Sequence, residues 1–191
     1  RWKALGAKPA PELVGVDVAD EGADDTVMAL RCGDVVSELR RYPMGDTMLT
    51  AERAAHHAGE AIVDSIGVGA GVLSRLRQLL GPSKAVGFVA SERTDRKDKS
   101  GEFGFINKRA AAWWNLRELL EPPSEICLPD DALLLGDLTT PKWREAAGGK
   151  IQIESKDEIR RRLGRSTDAG DACVIVFWDE GPTALEGWLA I

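Results

Sequence analysis

The sequence predicts a mixed α/β domain, on three observations. Short Val-rich or alternating stretches cluster near the start, over residues 13–18, 26–32 and 35–42, with Gly33-Asp34 as a tight turn between the last two. Short apolar runs at 61–66 and 85–90 follow, each bounded by turn residues. Between them, Val72, Leu73, Leu76, Leu79 and Leu80 recur at helical spacing. The order β-β-β-α-β-α-β-α, then more helix and strand, predicts a sheet that begins as a meander and continues through helical crossovers.

Taken in order, residues 1–12 carry Pro9 and Pro11 without periodicity and read as a linker arm from something upstream. The chain opens on Arg1 rather than Met, so it reads as a fragment. Asp24-Asp25 is turn material, and Pro43 closes the third strand. Residues 50–58 are Ala-rich and helical, with Thr50 in the N-cap position and Gly59 at the end. Residues 67–71 form a Gly-rich turn. Residues 91–104 carry charges of both signs and no core face, which predicts a mobile loop or exposed hairpin. A helix over 105–121 presents Phe105, Ala112, Trp113, Leu116, Leu119 and Leu120, and Pro122-Pro123 stops it. A short helix at 130–138 and a strand at 149–154 come next. Ser155 caps a helix to about 163, and Thr167 or Asp168 caps another to about 178.

The 191 residues hold 25 Lys and Arg against 31 Asp and Glu, a net charge of −6. An acidic balance argues against a nucleic-acid partner, but only if the acids are evenly spread. No stretch nears the roughly 20 apolar residues of a membrane helix. No apolar signal-peptide core follows Arg1-Trp2-Lys3. Cys32, Cys127 and Cys173 form neither zinc spacing nor a disulfide framework and read as small buried hydrophobes. The chain therefore reads as a soluble intracellular protein with no membrane partner.

The acids are not evenly spread. Asp17 sits inside the strand Val14-Gly15-Val16-Asp17-Val18, where a carboxylate is costly unless it is paired or holds a cation. Gly15 shares its face and admits a close approach. The alternative is a strand-end Asp bonded to turn amides, and Asp20, Glu21, Asp24 and Asp25 read as solvated turn residues. Asp64 repeats the pattern at the C-terminal end of an apolar strand, the edge where open α/β sheets bind ligands. Gly69 and Gly71, in the turn after it, could offer backbone amides to a phosphate, although the spacing and Lys of a P-loop are missing. Asp168 and Asp171 share a helix face; Asp168 also reads as a simple first-turn acid, whereas Asp171 borders the buried face and wants a partner. Carboxylates without nearby His or Cys favour Mg²⁺ or Mn²⁺, and two such cations catalyse in-line attack of water on a phosphodiester.

The bases cluster too. Lys156, Arg160, Arg161, Arg162 and Arg165 just precede Asp168 and read either as a solvated helix face or as phosphate contacts, with Lys156, Arg160, Arg162 and Arg165 the DNA-binding candidates. His56-His57 reads as exposed, and Trp113-Trp114 as core rather than a base-stacking platform.

Together these motifs resemble the nuclease domain of tailed-bacteriophage terminase large subunits. Residues 14–19 with Asp24-Asp25-Thr26 resemble that family's first nuclease motif, and residues 62–72 its second. Phe105-Ile106-Asn107-Lys108-Arg109 with Trp113 resembles the following helix, and residues 153–172 the third motif. The resemblance implies an RNase H-like sheet of strand order 3-2-1-4-5 with its first three strands antiparallel, over residues 13–191. It implies a Mg²⁺- or Mn²⁺-dependent endonuclease that cuts concatemeric double-stranded viral DNA at the start and end of packaging. Asp17, Asp64 and Asp171 would hold the metals, with Asp168 the near alternative for the third place. The arm at 1–12 would come from an N-terminal packaging ATPase domain that is missing here. A terminase small subunit, a portal protein and the host cytoplasm complete the expected context. Other RNase H-like nucleases (junction resolvases or transposase cores), an actin-like ATPase half and an inactive DNA- or portal-docking module are the rival readings. With few spare positive charges, the domain alone should grip DNA weakly and with strong salt dependence.

Overall fold

Residue alternation in the first strand sets the layering. In the computed structural model, which describes residues 9–19, 24–43 and 45–179, β1 (Leu13–Asp17) puts Val14 and Val16 on one face and Gly15 and Asp17 on the other. β2 (Asp25–Cys32) and β3 (Val35–Pro43) extend the sheet antiparallel, whereas β4 (Glu60–Asp64) and β5 (Ala85–Phe88) join parallel on the other side. The order is β3-β2-β1-β4-β5, the arrangement that the family resemblance implies.

The two sheet faces carry two cores. On one, Val14, Val16, Met28, Leu30 and Val63 pack beneath α1 (Thr47–His57) and α2 (Gly69–Leu80). On the other, Val27, Ala29 and Ile62 meet α6 (Asp168–Val176), which is buried from Ala169 onward. A helix of Ala, Cys, Val and Ile survives its modest propensity because it is wrapped on all sides. α3 (Lys108–Leu120) and α4 (Ala132–Thr139) cover its outer side. A second, three-stranded sheet of order β6-β8-β7, from β6 (Gly104–Phe105), β7 (Trp143–Ala146) and β8 (Lys150–Ile153), packs on α3. α5 (Lys156–Leu163) follows β8 directly, started by a Ser155–Glu158 capping box and ended by Gly164 in the left-handed region at φ 73°.

Gly15 shows why the layers fit. A Cβ there would lie 2.6 Å from both the Ala172 carbonyl oxygen and Val176 Cβ, so α6 lies directly on β1 because residue 15 has no side chain.

Several boundaries differ from the sequence reading. α1 is capped by Asp46, whose carboxylate accepts from the Met48 N–H at 2.7 Å, and Thr50 is buried within the helix. α3 begins after Asn107, because Phe105 is used in β6. β7 was not anticipated; its mostly exposed residues show no core alternation. Cys173 is buried, but Cys32 and Cys127 are only half-buried, since they lie near the sheet margin rather than in α6. Residues 91–104 hold a turn in which the Asp98 carboxylate accepts from the Phe103 N–H at 2.9 Å, and Phe103 packs against the core. Most of the expected linker arm, residues 1–8, lies outside the described residues, as do Asp20 and Glu21. Its last residue, Glu12, already belongs to the sheet margin: its N–H donates to the Arg31 carbonyl at 2.9 Å. Among the described residues no helix is long and apolar enough to cross a membrane.

Candidate metal centre

Asp17 and Asp64 end their strands. The parallel register that pairs Val16 with Val63 sets the two acids side by side on neighbouring strands about 5 Å apart, at the C-terminal edge of the sheet. Both belong to the face covered by α6, which delivers Asp171. Asp17 and Asp171 are buried; Asp64 is half-buried and accepts from the Ile66 N–H at 3.3 Å.

A cation from the chain itself occupies the middle. Lys156, first residue of α5, donates from Nζ to Asp17 Oδ1 at 2.9 Å and Oδ2 at 3.2 Å, and lies 3.4 Å from Asp171 Oδ2. Asp171 is held from three further directions. Thr167 Oγ1 donates to its Oδ2 at 2.9 Å, Trp113 Nε1 donates to its Oδ1 at 3.0 Å, and Arg109 Nε lies 3.6 Å from Oδ1. Asp168 stands at the margin and, with Asp24, Asp25, Asp137 and Arg165, lines a cleft of about 160 Å³. A larger cavity, about 290 Å³, lies away from the acids, between Trp143, Arg144, Gln152 and Glu158. Chemistry, not cavity size, sets the carboxylates apart.

Burial and crowding set the charges. Burial pushes the Asp17 carboxyl up to about 8, against the pull of Lys156 and with a further push from Asp171. Burial also works to raise Asp171, but Lys156, Arg109 and the two side-chain donors outweigh it and hold it below the usual carboxylate range. Asp64 and Asp168 are raised, chiefly by burial. Burial disfavours the charged ammonium of Lys156, yet the surrounding carboxylates raise it above its ordinary value. Among the described residues, no three acid, His or Cys side chains are gathered closely enough to hold an ion as they stand. The donor set nevertheless suits a hard cation: buried oxygens already grip an ammonium.

The other predicted contacts sort differently. Gly69 carries α2 onto the end of β4; a Cβ there would fall 1.8 Å from the Asp64 carbonyl oxygen. Gly71 instead faces Thr47 of α1, because residues two apart on a helix do not share a face. Arg160 pairs with Asp24, Arg162 grips Glu154 through Nε at 3.1 Å and Nη2 at 2.5 Å, and Arg165 pairs with Asp137. These three arginines are internal partners in this structure. The sequence offers Arg109 and Trp113 only as part of a motif or core, and Thr167 only as a cap; the structure brings all three to Asp171. Arg109 and Trp113 stand at i and i+4 on α3, a spacing that could have tied them to one target.

No protein-family model matches the sequence, and no curated protein sequence matches it significantly. Solved structures do. The nuclease domain of the large terminase subunit of bacterial virus Sf6 superposes with a TM-score of 0.72 at 23% identity, over 95% of this chain and 93% of that one. This chain has the fold of a phage terminase nuclease domain. A lysine-to-alanine variant of the Sf6 domain with manganese gives a TM-score of 0.69 at 20% identity, covering 93% and 92%. The large terminase nuclease of a thermophilic phage with bound magnesium gives 0.59 at 15% identity, covering 88% and 81%. At these identities the likeness is one of fold, the RNase H-like sheet with its flanking helices.

Proposed function

We propose that this chain is the divalent-metal-dependent endonuclease domain of a viral DNA-packaging terminase large subunit. The observation that carries the reading is the Lys156 ammonium gripped by buried Asp17 and lying against buried Asp171, beside Asp64, at the C-terminal edge of two parallel strands. Terminase nucleases of the same fold are recorded with manganese and magnesium, which supports a divalent cation in the same role here.

In this reading Asp17, Asp64 and Asp171 hold the cations, and Asp168 stands next in line. What two divalent cations supply when bound is Lewis acidity and positive charge at the phosphodiester. The chain's own residues do the rest. Trp113 and Thr167 orient Asp171 through its two oxygens. Lys156, with a third of its side chain exposed at 36%, has the flexible stem to leave the carboxylates and meet a DNA phosphate. Losing Lys156 would by itself raise Asp17 further, so its ionisation depends on the positive charge that replaces the lysine, and cation binding and proton release go together. The reading brings with it double-stranded concatemeric DNA as substrate, cut as packaging starts and ends. Its partners are a packaging ATPase domain, a small subunit and a portal protein, in the host cytoplasm.

The test is incubation of the chain with supercoiled plasmid and Mn²⁺ or Mg²⁺, with and without chelator. Nicked and linear products are expected only with metal. Asp17→Asn and Asp64→Asn should each lower the rate by more than the roughly 10- to 100-fold typical of outer-shell changes, with Tm retained. No cleavage under any metal would leave the docking-module reading in its place. Cutting of branched substrates alone would move the assignment to a resolvase.

A further inference from the structure

The α3 side of the site holds a feature that cleavage by Asp17, Asp64 and Asp171 does not itself require. Arg109 is 11% exposed, and its Nε and Nη2 are buried with no hydrogen-bond partner among the described residues. Its Nη1 donates to the Glu154 carbonyl at 2.6 Å, which ties the guanidinium to the end of β8. Nε points toward Asp171 Oδ1, the oxygen that also accepts from Trp113 Nε1. The other oxygen, Oδ2, faces Lys156. The two sides of this carboxylate thus meet different kinds of cation. Lys156 is partly exposed on a flexible stem; Arg109 is enclosed, tethered and stacked near the Trp113 ring at 5.4 Å. A buried guanidinium with two unused donors is costly unless its charge is needed.

We propose that Arg109 is a positioning residue for the metal centre: with Trp113 it anchors Asp171 Oδ1, so that Oδ2 alone is presented where the Lys156 ammonium now lies. This rests on the nuclease reading above. Lys156 is the exchangeable counter-charge and Arg109 the permanent one. When Lys156 swings away, Arg109 and Trp113 still hold Asp171 turned as it is. The guanidinium also repels an incoming cation, so removing it has opposite effects on binding and on turnover.

The experiment uses the full 191-residue chain and its variants Arg109→Gln, Arg109→Lys and Trp113→Phe. Mn²⁺ binding without DNA is measured by calorimetry, and plasmid cleavage at saturating Mn²⁺ gives turnover. Arg109→Gln should lower turnover by about 10- to 100-fold. Its Mn²⁺ affinity should be unchanged or tighter. Arg109→Lys should restore part of the turnover, and Trp113→Phe should share the turnover loss while keeping the ring packed. Weaker Mn²⁺ binding in Arg109→Gln, with or without a lower Tm, would overturn the proposal, because a residue that merely supports the fold loses affinity and rate together. Should Arg109→Gln fail to fold, Trp113→Phe at full turnover would overturn it equally. If the unaltered chain neither binds Mn²⁺ nor cuts, the nuclease reading falls and takes this inference with it. If it does both and Arg109→Gln matches it, only this inference falls.

Discussion

Asp131 shows how much one side chain can do outside the acid cluster. It caps α4 by accepting from the Leu134 N–H at 2.9 Å, and the same oxygen accepts from Arg41 Nη2 at 2.9 Å. Burial works to raise its carboxyl, but Arg41 and the cap amides prevail and hold it below the ordinary value. A carboxyl depressed in the folded state stabilises the protein above its unfolded value, near pH 4, and that stability is lost as pH falls through the folded value. Asp131→Ala should cost about 1–2 kcal/mol at pH 7, the usual range for a lost cap. Asp131→Asn keeps a capping oxygen but not the charge. Its deficit against the native chain, read from urea midpoints, should shrink as pH drops below about 4. A deficit that stays constant down to pH 2.5 would show that the Arg41 pair is not the source. At the same scale, Trp113 shows the reach of sequence reasoning. Its core position was legible from helical spacing, whereas its N–H bond to Asp171 was not, because pattern reports burial and not partners.

At the scale of elements, the packing of α6 on β1 places the chemistry. Gly15 permits it, and Asp137 of α4 secures it by accepting from the Gly170 N–H at 3.1 Å. That bond satisfies one of the helix's orphan donors from another element. Thr167, in the N-cap position, makes no side-chain cap and instead holds Asp171. The sequence pointed to Thr167 or Asp168 as the cap, since local spacing cannot reveal a cap supplied by Asp137. Gly15→Ala should destabilise the domain by about 1–3 kcal/mol, the range for overpacking a filled core. Because α6 carries Asp171, cleavage should weaken with it. An alanine variant with an unchanged denaturation midpoint would mean that α6 can shift freely, against the contact distances at Gly15.

For the whole molecule, charge placement matters more than charge sum. The net −6 reads as unfavourable to DNA, yet Asp17, Asp64, Asp168 and Asp171 stand around one lysine. The arginines expected to grip phosphate stay at the surface but are paired with acids, Arg160 with Asp24, Arg162 with Glu154 and Arg165 with Asp137. Each must leave an acid before it can meet DNA. With these ion pairs already formed in the free protein, the salt dependence is expected to be shallower than the count of arginines alone implies. The slope of log K against log salt should correspond to fewer than about four phosphate contacts. Asp24→Asn, which releases Arg160, should steepen it by about one. Fluorescence anisotropy with a short duplex across a salt series measures both, and a native slope beyond about −5 would show that the ion pairs open at no cost.

The sheet order came only with the family resemblance, whereas strand faces and the acids on β1 and β4 were legible in the residues themselves, because they follow from two-residue periodicity and from turn chemistry within a few positions. The second sheet was not, since β7 is short, polar and exposed. Nor were the partners. Whether Asp168 or Asp171 meets Lys156, what Arg109 is buried against and which bases are internally paired were decided by the tertiary structure. The physical reason is distance along the chain: Asp17 and Lys156 are 139 residues apart, and their contact exists only once sheet, α5 and α6 are assembled. Local pattern places a charge on a face; only packing chooses its counter-charge.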